Sequence, residues 1–280
     1  MKFWKMHGLG NDYIVMDNRE GKISDKDVSR WAGLLCQRRF SVGADGLLLV
    51  YPSKTADVKM RIFNADGSEA EMCGNGIRCF SKYCYENGIV KKTKFTIETL
   101  ADIKQVWLTL ENAIVSAVKV NMGKPNWQRA SLPMIGEGTC IDQKLQVGNE
   151  VYQVTGLSMG NPHCVTFIEN VDIFPVCSVG ELFETHEAFP QRINAIFAQV
   201  LNPCEIRVRV WERGCKETLA CGTGACASFA AARKLDKVQD KVTVHLQGGD
   251  LQIATGEDGI YMTGPAEKVY EGKLFREALF

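Results

Sequence analysis

Two cysteines of this chain sit in the same short setting, Cys73-Gly74-Asn75-Gly76 and Cys221-Gly222-Thr223-Gly224. A thiol at the start of a helix meets unpaired backbone N–H groups and the positive end of the helix dipole, which favour thiolate. The same N–H groups can donate to a carboxylate, and flanking glycines let a ligand come close to the backbone. Two such thiols facing one small anion suit inversion at the α-carbon of an amino acid without a cofactor. One thiolate removes the α-proton and the opposite thiol returns a proton to the other face, while the helix ends hold the carboxylate as charge builds. Two bases are needed because a single one could not reach both faces.

The register of the two motifs extends beyond them. A shift of 148 residues carries Cys73 onto Cys221, Arg61 onto Arg209, Phe63 onto Trp211, Glu69 onto Glu217, Gly74 onto Gly222 and Gly76 onto Gly224. Near the start of each half, Gly10-Asn11-Asp12-Tyr13 matches Gly160-Asn161-Pro162-His163 at a shift of 150. Two anchors in nearly one register predict two copies of one fold. The expected division is residues 1–120, together with the C-terminal segment 267–280, and residues 121–266. Asn121-Met122-Gly123-Lys124-Pro125 breaks the strand pattern at the junction.

The elements that must position the thiols follow from periodicity. Before Cys73, Tyr13–Val15, Gly46–Tyr51 and Lys59–Asn64 read as strands bounded by turn residues. Ile77, Phe80, Tyr83 and Cys84 then recur at helical spacing from Gly76, and Asn87-Gly88 is a stop signal. Three strand-like runs follow, Phe95–Leu100, Val106–Leu110 and Ala113–Val120. The second half repeats the order, with strands at Val151–Leu157, Cys164–Ile168, Asn194–Val200 and Cys204–Trp211. An Ala-rich helix follows from Gly224 to about Leu235, and then strands at Val242–Leu246 and Leu251–Thr255. A shorter helix is expected at Ser24–Cys36.

The chain has 280 residues, 45% hydrophobic, with 33 Lys plus Arg against 33 Asp plus Glu. That composition excludes disordered and fibrous classes and fits two domains of about 140 residues. The one dense basic run, Lys91-Lys92-Thr93-Lys94, reads as a solvated turn, so no nucleic-acid partner is expected. No apolar run approaches the ~18 residues of a membrane span and the N-terminus lacks a signal-peptide pattern, so a cytoplasmic location without membrane association is expected. Eleven cysteines, an odd number in a chain of this length, argue for reduced thiols over a disulfide framework.

Taken singly, each cysteine is more simply a buried, inert thiol. Duplication in register reverses that for Cys73 and Cys221 only. The spacing of Cys73, Cys79 and Cys84 recurs in Cys215, Cys221 and Cys226, but at a shift of 142 that aligns nothing else. It matches no common zinc or iron–sulfur pattern, so no metal is expected. No dinucleotide or P-loop motif is present. Spacing alone leaves a pyridoxal lysine open, although the paired cysteines would then lack a purpose.

At this point the residues resemble the diaminopimelate epimerase family from one end of the chain to the other. The matching segments are Met6-His7-Gly8-Leu9-Gly10-Asn11-Asp12, Asn64-Ala65-Asp66-Gly67-Ser68, Cys73 to Phe80, Ser158 to Cys164, Glu212-Arg213-Gly214 and Ala220 to Ala225. The resemblance implies an α+β fold of two pseudo-symmetric domains, each a mostly antiparallel sheet or barrel wrapped around a central helix. It implies cofactor-independent interconversion of LL- and meso-2,6-diaminopimelate, a step toward lysine and the cell-wall cross-linking residue, by a cytoplasmic homodimer. Cys73 and Cys221 would be the acid/base residues, with backbone around Gly74-Asn75 and Gly222-Thr223 holding the carboxylate at the reacting centre and Asn11 nearby. Asn64, Asn161, Asn194 and Arg213 would serve the distal carboxylate and Glu212 an ammonium or catalytic role, with His163 tuning a catalytic group.

Against those roles stand simpler ones: each asparagine lies in a turn sequence, His163 could merely pack, and Arg213 with Glu212 could be a surface ion pair. The chain also departs from the family's pattern, because Gly46 follows Gly43-Ala44-Asp45 where some relatives carry Gln, and Thr223 stands where Ser is also found. Cys215 is an additional thiol beside the Glu212-Arg213-Gly214 turn. Two other readings stay open. One keeps the two-thiol chemistry with a compact substrate, as in proline or histidine racemases of related architecture, for which Arg213 would have no distal carboxylate to grip. The other is a non-catalytic amino-acid-binding module, which would have no need of thiols.

Overall fold

The computed structural model describes residues 1–275. Residues 276–280, part of the segment grouped with the first half, lie outside the described residues. The chain forms two compact units, one of Met1–Val120 with the chain from Thr263 onward, the other Asn121–Met262.

In the first unit β1 (Lys2–Gly8) pairs antiparallel with β2 (Asn11–Asp17) on one side and with the C-terminal strand Glu267–Lys273 on the other. After α1 (Val28–Leu35), β3 (Gly46–Tyr51) runs parallel to β2 and β4 (Val58–Asn64) returns antiparallel to β3. The short β5 (Glu69–Ala70) folds back on β4 and leads into α2 (Gly74–Glu86). β6 (Lys94–Glu98) then lies parallel to β4, and β7 (Ile103–Glu111) and β8 (Ile114–Gly123) extend the sheet antiparallel.

Strands β2 and β3 are apolar at consecutive positions because both faces are covered. Ile14, Met16, Leu47 and Leu49 pack with Val28, Ala32 and Leu35 of α1. On the opposite face Tyr13 and Leu48 reach Gly76 of α2, as the two-residue strand period requires. Helix α2 is buried from Gly74 to Cys84, the polar side chains of Asn75, Arg78, Ser81 and Lys82 included.

The second unit repeats the order. β9 (Gln143–Val147) pairs with β10 (Glu150–Ser158), and β10 with β11 (Pro162–Phe167). After α3 (Val176–Glu184), β12 (Asn194–Asn202) runs parallel to β11, and β13 (Glu205–Glu212) antiparallel to β12. β14 (Lys216–Thr218) folds back on β13 and leads into α4 (Gly222–Lys234). β15 (Lys241–Leu246) is parallel to β13, β16 (Gly249–Gly256) antiparallel to β15, and β17 (Gly259–Gly264) follows. The repeat holds in detail: Arg61 Nε binds Glu69 Oε1 at 2.7 Å, and Arg209 Nε binds Glu217 Oε1 at 2.7 Å.

Several elements differ from the sequence expectation. Helix α1 begins at Val28 rather than Ser24, because residues 24–27 form a turn in which Asp27 N–H donates to the Ser24 carbonyl. α3, β1, β17 and the C-terminal strand were not anticipated, nor were the short β5, β9 and β14. In the basic run, Lys92 pairs with Asp57 and Lys94 lies over the Trp107 ring. Among the described residues no helix is long and apolar enough to cross a membrane.

Candidate active site

In the first unit Cys73 occupies the N-cap of α2 in an extended backbone conformation, and its Sγ accepts the Gly76 N–H at 3.4 Å. A Cβ at Gly76 would lie 3.3 Å from Leu48 Cδ2 and in contact with the Cys73 Cβ and the Tyr13 ring at 3.4 and 3.5 Å, so the glycine sits directly against the thiol residue. The Tyr13 hydroxyl lies 2.9 Å from Cys73 Sγ and 2.6 Å from Asn11 Oδ1. Asn75 Nδ2 donates to the same Asn11 oxygen at 3.3 Å, and Asn11 Nδ2 donates to Asp45 at 2.8 Å. Asn11 and Asn75 therefore meet beside the thiol, with Gly74 opening the helix.

Charge surrounds this cluster. Arg38 bridges Asp12 and Asp45 at 2.7 and 2.9 Å, and Lys5 pairs with Asp12 at 2.6 Å. Burial works to raise Asp12, but hydrogen bonds from Arg38 and Lys5 outweigh it and hold the carboxyl down at about 2. Asn64 ends β4 and is exposed, its amide donating to Ser68 Oγ at 3.0 Å within a turn.

The second unit builds the counterpart from different side chains. Cys221 is the N-cap of α4 and accepts the Gly224 N–H at 3.4 Å, with Thr223 Oγ1 at 3.5 Å. The Glu212 carboxylate, held by the Thr218 hydroxyl, lies close enough for its charge to act on this thiol. Burial, then the Glu212 charge, pushes Cys221 well above the ordinary thiol range. The helix N-terminus was expected to favour thiolate, but at Cys221 burial outweighs it and favours the thiol. Burial likewise raises Glu212.

His163, Asn194 and Glu212 come together because they stand at one end of three adjacent strands. β11 and β12 align His163 with Asn194, and β12 and β13 align Ala195 with Trp211, the residue before Glu212. His163 is fully buried, and burial followed by the positive charge of Arg213 pulls it down to about 3, so the ring is neutral at physiological pH. Its Nε2 lies 2.8 Å from Asn161 Oδ1, an acceptor, which assigns the proton to Nε2. Nδ1 is then an acceptor, without a hydrogen-bond partner among the described residues.

Asn194 serves the backbone: it donates to the Pro162 carbonyl at 2.7 Å and accepts the Arg213 N–H at 2.9 Å, fixing the turn that carries Arg213. Arg213 itself is exposed, with one bond to the Gln191 carbonyl at 3.3 Å. Cys215 is exposed in the same turn, where its N–H donates to the Glu212 carbonyl.

Cys79 and Cys84, which share the cysteine spacing, are buried in α2; burial pushes Cys79 up to about 12 and Cys84 well above the thiol range. They are packing residues. Tyr13, Asp45 and Thr218 were missed. The signal for Tyr13 was available, since the repeat aligns it with His163, and both rings bind the asparagine two residues before them.

The diaminopimelate epimerase family model matches residues 3–128 and 155–269, covering both thiol-bearing units. The chain belongs to the diaminopimelate epimerase family. Relatives of that name are 50% identical in Pelotomaculum thermopropionicum, covering 98% of each chain, and 49% identical in Methanococcus maripaludis, covering 98% of this chain and 99% of the relative. The diaminopimelate epimerase fold extends to more distant proteins. A PhzF-family phenazine biosynthesis protein from Bacillus anthracis superposes with a TM-score of 0.71 at 18% identity, covering 98% of this chain and 99% of that one. A probable proline racemase from Agrobacterium radiobacter gives 0.73 at 15% identity, covering 98% and 93%. Both are similar in fold alone.

Proposed function

We propose that this enzyme interconverts LL- and meso-2,6-diaminopimelate, with Cys73 and Cys221 as its acid/base pair, on the route to lysine and the bacterial cell-wall cross-link. The observation that carries the reading is the repeated thiol: each unit sets one cysteine at the N-cap of a buried helix, in a family whose curated relatives carry that activity in their name. Helix N–H groups at Gly74-Asn75 and Gly222-Thr223 bind the carboxylate next to the reacting carbon. Cys221, a thiol in the resting state, gives its proton to the carbanion while Cys73 takes the α-proton from the opposite face, and Glu212 receives the Cys221 proton when the reaction runs the other way. His163 keeps a buried, unprotonated Nδ1 beside Asn161. Asn64, Asn161 and Arg213 take the distal carboxylate, and Asn194 holds the Arg213 turn. The reading takes the enzyme as a cytoplasmic homodimer acting without a cofactor.

The test is proton NMR of LL-diaminopimelate with the enzyme in deuterium oxide. A reductant is included because two thiols serving one carbon are prone to join as a disulfide. Loss of one α-proton signal with appearance of the meso form is expected, and Cys73→Ala and Cys221→Ala each lower that rate by about 100-fold or more. Absence of exchange under reducing conditions would move the assignment to a racemase of a compact amino acid, tested next with proline and histidine.

A further inference from the structure

Tyr13 is buried on the α2-facing side of β2, with its hydroxyl between Cys73 Sγ at 2.9 Å and Asn11 Oδ1 at 2.6 Å. The polar chain around it has fixed polarity. Asp45, ion-paired with Arg38, accepts from Asn11 Nδ2 and so orients the Asn11 amide with Oδ1 toward Tyr13. At the other end Arg78 only donates, so it turns the Asn75 oxygen toward itself at 3.1 Å and leaves Asn75 Nδ2 pointing at the same Asn11 oxygen. Asn11 Oδ1 is therefore an acceptor in every state of the site, and the phenol holds one proton for two neighbours.

We infer that the Tyr13 hydroxyl is a positioning group that stabilises Cys73 as thiolate by redirecting its own proton from Asn11 Oδ1 to Cys73 Sγ. This rests on the reading of Cys73 as an acid/base residue. When Cys73 is a thiol, the phenol donates to Asn11 Oδ1 at 2.6 Å, and the S–H donates to the phenol oxygen at 2.9 Å, the shorter of its two contacts, the other being Asn11 Oδ1 at 3.7 Å. When the thiol proton leaves, the C–O bond of Tyr13 rotates its hydrogen onto Sγ, and Asn75 continues to satisfy Asn11. The tyrosine stays neutral throughout, because burial, then the charge of a Cys73 thiolate, holds its ionisation well above the ordinary phenol range. A charge-assisted O–H···S⁻ bond exchanged for a neutral one is the source of the stabilisation.

The geometry of the neighbours supports a dedicated role. A Cβ at Gly46 would lie 3.2 Å from the Tyr13 ring and 2.8 Å from the Phe63 carbonyl, so the missing side chain there makes room for this ring. Tyr13 also aligns with His163 in the repeat, and the two rings make the same bond to Asn11 and Asn161. Among the described residues, the other titratable groups facing this end of α2 include Cys79, held as thiol by burial, Arg78 in the helix, Asp45 and Asp12 with their partners Arg38 and Lys5, and Glu267, whose charge acts on Cys79.

The test is the pH profile of Cys73 alkylation by iodoacetamide, read peptide by peptide by mass spectrometry on the full-length enzyme, with Cys221 as internal control. Tyr13→Phe keeps the ring and removes the hydroxyl. Its Cys73 profile should move about one pH unit higher, a roughly tenfold slower reaction at neutral pH, while the Cys221 profile stays in place. In turnover, kcat in the direction where Cys73 is the base should fall about tenfold with KM within about twofold. Biosynthetic replacement of tyrosine by 3-fluorotyrosine, which keeps the fold and supplies a stronger donor, should shift the Cys73 profile the opposite way. An unmoved Cys73 profile in both proteins overturns the inference. Inactivity toward diaminopimelate with a shifted profile would overturn only the substrate assignment.

Discussion

His163 couples the site to the stability of its unit. An exposed imidazole ionises near 6.5, whereas burial and Arg213 bring this one to about 3. Between those values the unfolded chain binds a proton that the folded chain refuses, so the stability contributed above pH 6.5 is lost as pH falls toward 3. From pH 7 to pH 5 the loss from this one group is about 2 kcal/mol. His163→Gln preserves a donor for Asn161 and has no titrating ring, so its unfolding free energy from urea titration should fall less over the same interval, by about that amount. Equal slopes in the two proteins would show that the ring is not buried neutral. The role of this histidine was only half legible in the sequence. The motif Gly160-Asn161-Pro162-His163 marked the position, but burial and the neighbouring Arg213 charge, which set its protonation, arise from strand alignment. Tyr13 was less legible still: a tyrosine inside a strand of Ile, Val and Met looks like core, and only the fold brings its hydroxyl to Cys73, 60 positions along the chain.

Helices α2 and α4 show how an element is fitted to one atom. Both begin at a cysteine cap, both lack an acidic side chain in the first turn, and both place glycine where the cap sulfur must rest. At Gly224 an added Cβ would lie 3.0 Å from Ile196 Cδ1 and 3.3 Å from Cys221 Sγ. Gly224→Ala should therefore favour the helix by propensity yet destabilise the unit by about 1–3 kcal/mol through overpacking. Because the strain falls on the sulfur, turnover should drop about tenfold or more while the denaturation transition stays cooperative. A stabilised, fully active variant would mean that the thiol has slack the geometry does not show. These helices were legible because the Cys-Gly-x-Gly signal and the apolar spacing agree. Helix α3 was missed although the repeat requires a counterpart of α1 between Asn161 and Arg209; Val176–Glu184 is short and its cap is Pro175, which makes no side-chain bond. The short strands β5 and β14 carry no period of their own and exist because Arg61–Glu69 and Arg209–Glu217 fold them onto their neighbours.

Across the whole chain, the duplication is closed asymmetrically, because the first unit needs a strand from the far end of the sequence. Lys2, Phe3, Trp4 and Lys5 of β1 pair with Lys273, Gly272, Glu271 and Tyr270, and Lys268 lies over the Trp4 ring at 3.9 Å. The chain just before the C-terminal strand reaches α2, since the Pro265 carbonyl accepts Arg78 Nε at 3.0 Å from the second turn of that helix. That dependence is invisible to local pattern: Glu267–Lys273 is mostly exposed and polar, and its strand state comes from pairing alone. A chain ending at Gly264 leaves β1 as an open edge, which favours self-association, and takes away the Pro265 acceptor from the buried Arg78, a loss of about 1–3 kcal/mol in addition to the strand. Amide exchange should then show lost protection in β1, β2 and the start of α2, with Cys73 alkylating faster. β10 to β13 and α4 draw every partner in their sheet from Asn121–Met262 and should keep their protection, leaving Cys221 slow. Uniform loss of protection in both units would mean that they fold as one cooperative body, and undiminished protection in β1 would mean that the C-terminal strand is dispensable.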